Sequence, residues 1–410
     1  MRTFAHGASG PRIALYSHDT MGLGHIRRNQ LIAMALTAPP LNATVLLITG
    51  VREGGAFPMP GGIDSVILPA YRKGSDGAYS ARSLAMSLPQ LVGMRSALID
   101  LTLQQFQPDI FVADNVPDGA LGELLPALER LRRETGTYCV LGLRDILDCP
   151  DAIRREWSRK DTFAVIRRNY DAVWIYGAEA VFDTVGTYGF PADISALAHY
   201  TGYLDPFSTA AQRLQVKLPP RTGGEVVLCS VGGGQDGFEL ARAFVEAKMP
   251  DTMQGLVATG PLMPGECKDQ LATLIARRSN LTLIDAVCDI VPLLPRVDRV
   301  IGMAGYNSAN EVLASGRPAL FVPRTVPRTE QLIRAERFQE LGLASCLPAD
   351  VLTPAAIAQW LAAPAKRSAE GHSIDFGGLS RIAAMCGAII ASGDLTKTQA
   401  QAQPRIASLA

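Results

Sequence analysis

The sequence predicts an α/β protein of two doubly wound, Rossmann-like parallel-sheet domains that face each other across a central cleft. Three observations predict it. Strand-length apolar runs alternate with longer amphipathic stretches, the β-α-β pattern of a parallel sheet covered on both faces. The alternation stops once, at the polar, proline-containing segment "DPFSTAAQRLQVKLPPRTGG", and then resumes. The 410 residues are too many for one ordinary domain and suit two.

In the first half, strands are expected at "RIALYSH", "ATVLLITG", "SVILPAY", "DIFVAD", "YCVLGLRD" and "AVWIYG". Between them, "ARSLAMSLPQLVGMRSALIDLTLQQF" and "DGALGELLPALERLRRETG" have helical spacing. In the second half the expected strands are "EVVLCSVGGG", "GLVATG", "LTLIDAV", "RVIGMAG" and "PALFVPR". The boundaries that follow are 1–205 for the first domain, 206–224 for the linker and 225–365 for the second domain. The apolar run "LSRIAAMCGAIIAS" predicts a helix over 376–393 that packs back on the first domain, and 394–410 reads as a loose polar tail.

Hydrophobic residues make up 48% of the chain, enough for sizeable cores, and 39 Lys and Arg balance 39 Asp and Glu. A chain of zero net charge offers nucleic acid no global field, so any anion site must be local. The seven cysteines are scattered without a CxxC pair and read as reduced thiols of a cytoplasmic protein. "MRTFAHGASGPR" lacks the apolar core of a signal peptide, and no run of about 18 apolar residues is present to span a membrane. "MSLPQLVGMRSALIDLTL", around Arg95, reads as a buried core helix, with peripheral membrane contact as its alternative.

Ligands of open α/β sheets sit at the carboxyl ends of the strands, so the residues after each strand are the candidates. After "RIALYSH" come Gly22, Gly24 and His25, then the helix "IRRNQLIAMAL". The glycines allow a sharp turn and close approach to a ligand, and the helix N-terminus offers free N–H groups. There the helix dipole favours neutral imidazole, the form a general base needs. Arg27 and Arg28 add local positive charge. A dinucleotide fingerprint would need glycine at Arg27, and no GK[ST] of a P-loop follows. The second domain repeats the device with Gly232, Gly233, Gly234 and Gln235, where adjacent glycines suit a backbone cradle for phosphate. Strand "RVIGMAG" ends at Gly305, and Asn307 and Ser308 stand at the next helix start, as N-caps or as phosphate ligands. Glu311, one turn on, suits the two hydroxyls of a ribose, or else compensates the dipole. Glu330 and Gln331 open a further helix on the same crevice. Asp114, at the end of "DIFVAD", can orient His25, or cap a helix ahead of Pro117. Arg144 and Asp145 are rim candidates whose plain reading is an ion pair within the domain.

These residues together resemble a known group. "GLGHIRRNQLIAMAL", "SVGGGQDG" and "GMAGYNSANEVLASGRPALFVPRTVPRTEQLIRAERFQELGLA" are similar to the two-domain GT-B glycosyltransferases, above all the lipid-intermediate N-acetylglucosaminyltransferases of glycosyltransferase family 28. The resemblance implies a nucleotide-sugar donor, usually UDP-linked, in the second domain. Gly232, Gly233, Gly234 and Gln235 would approach its diphosphate or sugar, Asn307 and Ser308 its phosphates, Glu311 its ribose, and Glu330 and Gln331 its sugar. It implies an acceptor that is a glycan, a lipid-linked molecule or a small molecule, met by the first domain. A related sugar-nucleotide hydrolase shares the first glycine turn, and non-hydrolysing epimerases share the fold. No DxD metal motif stands out, so neither an obligatory metal nor a separate cofactor is expected. His25 is the expected base and Asp114 its orienting carboxylate.

Overall fold

The computed structural model describes residues 10–18, 24–51, 59–73, 78–208, 220–221, 223–285, 289–365 and 374–401. The linker expectation therefore lies largely outside the described residues, as do Gly22 and the end of the expected tail.

The first half runs β1 (Arg12–Ser17), α1 (Gly24–Thr37), β2 (Thr44–Thr49), β3 (Ile63–Ile67), β4 (Tyr71–Lys73), β5 (Tyr79–Ala81), α2 (Leu88–Phe106), β6 (Ile110–Asp114), α3 (Leu125–Glu134), β7 (Tyr138–Arg144), α4 (Pro150–Arg159), α5 (Thr162–Asn169), β8 (Ala172–Tyr176), α6 (Thr184–Tyr188), α7 (Ala192–Ser195) and β9 (Ala198–Tyr200). The second runs β10 (Val226–Ser230), α8 (Phe238–Glu246), β11 (Gln254–Ala258), α9 (Gly265–Ile275), β12 (Leu281–Ile284), β13 (Arg299–Gly302), α10 (Tyr306–Ala314), β14 (Ala319–Phe321), α11 (Glu330–Glu340), β15 (Ser345–Cys346), α12 (Pro354–Ala362) and α13 (Gly378–Gln401).

Two parallel sheets result. One has seven strands in the order β3-β2-β1-β6-β7-β8-β9, the other six in the order β12-β11-β10-β13-β14-β15. Their central strands are continuous apolar runs because helices cover both faces: "IFVAD", "AVWIY" and "VVLCS" are buried at every position. One apolar cluster joins the two domains, with Ile26 and Leu31 of α1 in the same core as Ala309 and Val312 of α10. Leu379, Ile382 and Cys386 of α13 enter that core too, and α13 packs against α1.

Several elements differ from expectation. The run "SVILPAY" is broken by Pro69: β3 ends at Ile67, and β4 turns away to pair antiparallel with β5. The helix expected from residue 81 starts only at Leu88, where Pro89 occupies the first turn and Gln90 Oε1 accepts the Ser87 N–H at 3.0 Å. The strands β4, β5, β9 and β15, each two or three residues long, are too short for periodicity to mark. At the C-terminus, α13 continues past residue 394 to Gln401, into the segment expected as a tail.

Helix α2 settles what Arg95 does. Leu91, Arg95, Ile99 and Leu103 face the domain, while Met94, Leu98 and Leu101 are exposed on the opposite side. Arg95 is fully buried and grips Glu123 with two bonds, Nε to Oε2 at 2.6 Å and Nη2 to Oε1 at 2.7 Å. Tyr71 Oη donates to Oε2 at 2.6 Å and Tyr16 Oη to Oε1. A buried charge persists only when paired and hydrogen-bonded, and here each partner is satisfied by the other. Arg95→Met is expected to lose about 3–5 kcal/mol of stability in urea unfolding, because Glu123 is left as an uncompensated buried charge. Arg95→Met combined with Glu123→Gln is expected to lose less. Equal losses would mean that the charge is not the cause.

Candidate functional site

In each sheet the chain reverses its winding beside the first strand, between β1 and β6 and between β10 and β13. Ligands of doubly wound folds bind at such points, beyond the carboxyl ends of the strands. The two points face each other across a cavity of about 950 Å³, within the range of about 300–1,000 Å³ that holds small molecules.

The first-domain wall is built from the ends of β1, β6 and β7. Register pairs Ser17 with Asp114, so the turn after β1 lies beside the end of β6. His25 stands in the first turn of α1 and lines the cavity. Its Nδ1 lies 2.5 Å from Asp114 Oδ2. Arg28, one turn on, donates from Nε to Oδ1 at 3.1 Å and from Nη2 to Oδ2 at 2.6 Å. Burial alone would raise the Asp114 carboxyl, but Arg28 and then His25 outweigh it and hold the group well below the usual carboxylate range. With Asp114 ionised, the short contact requires the hydrogen on Nδ1 of His25. In the neutral imidazole Nε2 is then the basic nitrogen.

Arg28 therefore corrects one expectation. It is not a free positive charge at the glycine turn but a buried partner of Asp114. Arg27 is committed as well. It reaches across the domain boundary to Glu311 Oε1, with Asp289 Oδ1 at 3.4 Å. Nor do Arg144 and Asp145 form the ion pair that their adjacency suggested. Asp145 accepts from Arg334 Nη2 of α11 at 3.0 Å and from Tyr203 Oη at 2.7 Å. Asp114 caps no helix.

The second-domain wall carries the glycines. Gly232 has φ +59° and Gly234 φ +91°, left-handed conformations that a side chain would strain. Gly233 and Gln235 line the same stretch. Gly305 caps α10, which starts at Tyr306. Asn307 and Ser308 thus sit in its first turn and are not its N-caps. Asn307 Nδ2 donates to the Gly24 carbonyl at 2.8 Å, a bond between the starts of α10 and α1. Glu330 and Gln331 begin α11 and line the cavity, with Glu330 Oε1 accepting from Arg324 at 3.1 Å. Of the predicted site residues, His25, Asp114, Gly24, Gly232, Gly233, Gly234, Gln235, Gly305, Asn307, Ser308, Glu330 and Gln331 come together here. Asp114 lies just behind His25. Glu311 does not line the cavity; it is buried one turn below, facing Arg27.

Several site residues escaped sequence reasoning. His18 directly follows β1, with its ring 4.7 Å from that of His25. Burial, with the neighbouring His25, pushes its imidazole well below the usual histidine range. The guanidinium carbons of Arg28 and Arg334 lie 5.3 and 5.8 Å from the centre of the Tyr306 ring. Helical spacing carried a usable signal: Arg28 is three residues from His25 and Arg334 four from Glu330, so each shares its neighbour's face. Among the described residues, no group of three or more His, Cys, Asp or Glu is arranged to hold a metal ion, and no helix is long and apolar enough to cross a membrane.

No protein-family profile matches the chain, and no curated protein matches it in sequence. Solved structures do match. The calicheamicin glycosyltransferase CalG4 is 16% identical, with 97% of this chain and 100% of that chain covered and a TM-score of 0.54. The UDP-GlcNAc 2-epimerase of Neisseria meningitidis, solved with UDP-GlcNAc, is 12% identical over 93% and 99% of the chains, TM-score 0.58. MurG of Acinetobacter baumannii is 15% identical over 95% and 99%, TM-score 0.51. At such identities the likeness shows the fold: two parallel-sheet domains in the GT-B arrangement.

The depressed Asp114 carboxyl gives a pH prediction. Near pH 4 the unfolded chain binds a proton that the folded chain does not, so stability rises with pH. The contribution is complete above the unfolded value of about 3.9 and is lost as pH falls below it. Asp114→Asn is therefore expected to be less stable at pH 7, and its stability should fall less steeply between about pH 5 and pH 3. An unchanged slope would show that Asp114 is not the titrating group.

Proposed function

We propose that the protein is a glycosyltransferase that moves a sugar, a hexose or N-acetylhexosamine, from a nucleotide-sugar donor to an acceptor hydroxyl. The donor proposed is a UDP-sugar, held by the second domain, and the first domain receives the acceptor. One observation carries this reading. A histidine hydrogen-bonded to a buried, ionised carboxylate stands on one wall of the cleft, and a glycine cradle with a helix N-terminus stands on the other.

In the proposed step the acceptor oxygen bonds to the anomeric carbon while the bond from that carbon to the diphosphate oxygen breaks. The acceptor proton passes to Nε2 of His25, and Asp114 stabilises the imidazolium that forms. The departing diphosphate gains negative charge. The backbone N–H groups of Gly232, Gly233 and the first turn of α10, with Asn307 and Ser308, are proposed to take it up. Gln235, Glu330 and Gln331 would orient the donor sugar. Glu311 would reach the ribose only after Arg27 has left it. The step needs no group beyond donor and acceptor. A cytoplasmic setting belongs to the same reading, supported by the six free cysteines among the described residues.

The GT-B arrangement is shared by transferases and 2-epimerases, so the fold alone does not choose between them. The experiment that does is a thermal-shift and turnover screen of nucleotide sugars, with and without acceptors. Stabilisation by one nucleotide sugar, with nucleoside diphosphate released only when an acceptor is present, is the expected result. Release in water alone at an enzymatic rate would favour the hydrolase or epimerase branch, and absence of binding would remove the donor site altogether. On the productive pair, His25→Ala is expected to lower kcat by about 10²–10⁴. Near-normal turnover would remove His25 from the role of base.

A further inference from the structure

Cations outnumber carboxylates among the side chains that line the cavity, although the chain is neutral. Seven Lys and Arg side chains line it against four Asp and Glu, while the whole chain carries 39 of each. Most of these cations are spoken for: Arg28 by Asp114, Arg324 by Glu330, Lys160 by Glu156 at 3.0 Å, and Arg328 by Glu156 at 3.5 Å.

Arg144 is different. It ends β7 on the first-domain wall, two residues beyond Gly142, which pairs with Asp114. Among the described residues its guanidinium has no ion-pair partner, and its Nε is buried without a hydrogen bond. The carboxylate beside it in sequence, Asp145, is turned away to Arg334 and Tyr203. Burial lowers the Arg144 pKa to about 10; Glu330 pulls the other way, and the fields of Arg28, Arg334 and Arg328 add to the fall. A cation held in that state is costly to the fold, and nothing on its own wall offsets the cost. An oxyanion entering the cavity would offset it, because guanidinium offers a planar pair of donors to carboxylate or phosphate.

We propose that Arg144 anchors an anion subsite in the acceptor half of the cleft, so that the acceptor carries a phosphate or carboxylate as well as the hydroxyl that is glycosylated. This rests on the transferase reading for the word acceptor, but not for the anion. Position argues for the acceptor over the donor. The diphosphate cradle lies on the opposite wall, in the second domain, whereas Arg144 shares its wall with His25, Arg159 and Lys160.

The test is calorimetric titration of inorganic phosphate into the full-length protein, alone and saturated with UDP, for the wild type, Arg144→Gln and Arg144→Lys. Phosphate is expected to bind the UDP-saturated wild type, and Arg144→Gln to weaken it by about tenfold or more, with Arg144→Lys between the two and UDP affinity unchanged within about twofold. Because Arg144 makes no hydrogen bond that the fold needs, the Tm of ligand-free Arg144→Gln should equal or exceed that of the wild type. Three results would overturn the proposal: equal phosphate affinity in Arg144→Gln, a lowered Tm in that variant, or exclusion of phosphate by UDP, which would move the anion to the donor half. If UDP and other nucleoside diphosphates do not bind at all, the transferase reading falls, and the titration of phosphate alone still decides whether Arg144 holds an anion.

Discussion

Tyr306 meets two arginines, one from each domain, and the rest of the architecture depends on that cluster. Arg28, from the first domain, and Arg334, from the second, both pack against its ring. Each holds an aspartate at the end of a first-domain strand, Asp114 for Arg28 and Asp145 for Arg334. Tyr306 Oη donates to the Tyr176 carbonyl at 2.9 Å, a third strand end. All of these groups are buried, so none can be removed without leaving a charge or a dipole without a partner. The strand ends of β6, β7 and β8 are thereby tied to α10 and α11. That tie sets the distance between the wall bearing His25 and the wall bearing the glycine cradle.

Much of this was legible in the sequence, because parallel strands buried on both faces must be apolar and the turns after them must be glycine-rich where backbone approaches a ligand. The runs "RIALYS", "IFVAD" and "VVLCS" are found as strands, and His25, Asp114, Gly232–Gly234 and Asn307 gather at one cleft. What was not legible depends on pairing between distant segments. Arg28 reads as local positive charge at the glycine turn, and Arg334 has no reading of its own, until the fold sets each against an aspartate far away in sequence. Arg144 and Asp145 read as a natural pair until α11 supplies Arg334 as the better partner. The short strands β9 and β15 have no periodicity of their own and exist because a neighbouring strand offers free backbone groups.

The same fold supports sugar transfer in one neighbour and 2-epimerisation in another, at 16% and 12% identity to this chain. What persists across such distances is the scaffold of strand ends and helix starts, since that alone delivers N–H groups to an anion. The first-domain wall of the cleft is where a chain of this fold is free to differ. Here the cations Arg144, Arg159 and Lys160 and the buried imidazole of His18 stand beside Val116, Ala120 and Leu121, so the wall offers a guest both charge and apolar surface.

The bond from Arg27 to Glu311 has a consequence for any ligand of this cleft. It makes the second domain's carboxylate the property of the first domain, so the molecule carries its own competitor for Glu311. A guest that needs Glu311 binds only the fraction of molecules in which Arg27 has let go, and its apparent affinity is its intrinsic affinity scaled by that fraction. The same exchange makes ligand entry report on the domain boundary. For such a guest each occupied site has given up one bridge between the halves, so filling the cleft and loosening its walls are a single equilibrium seen from two sides.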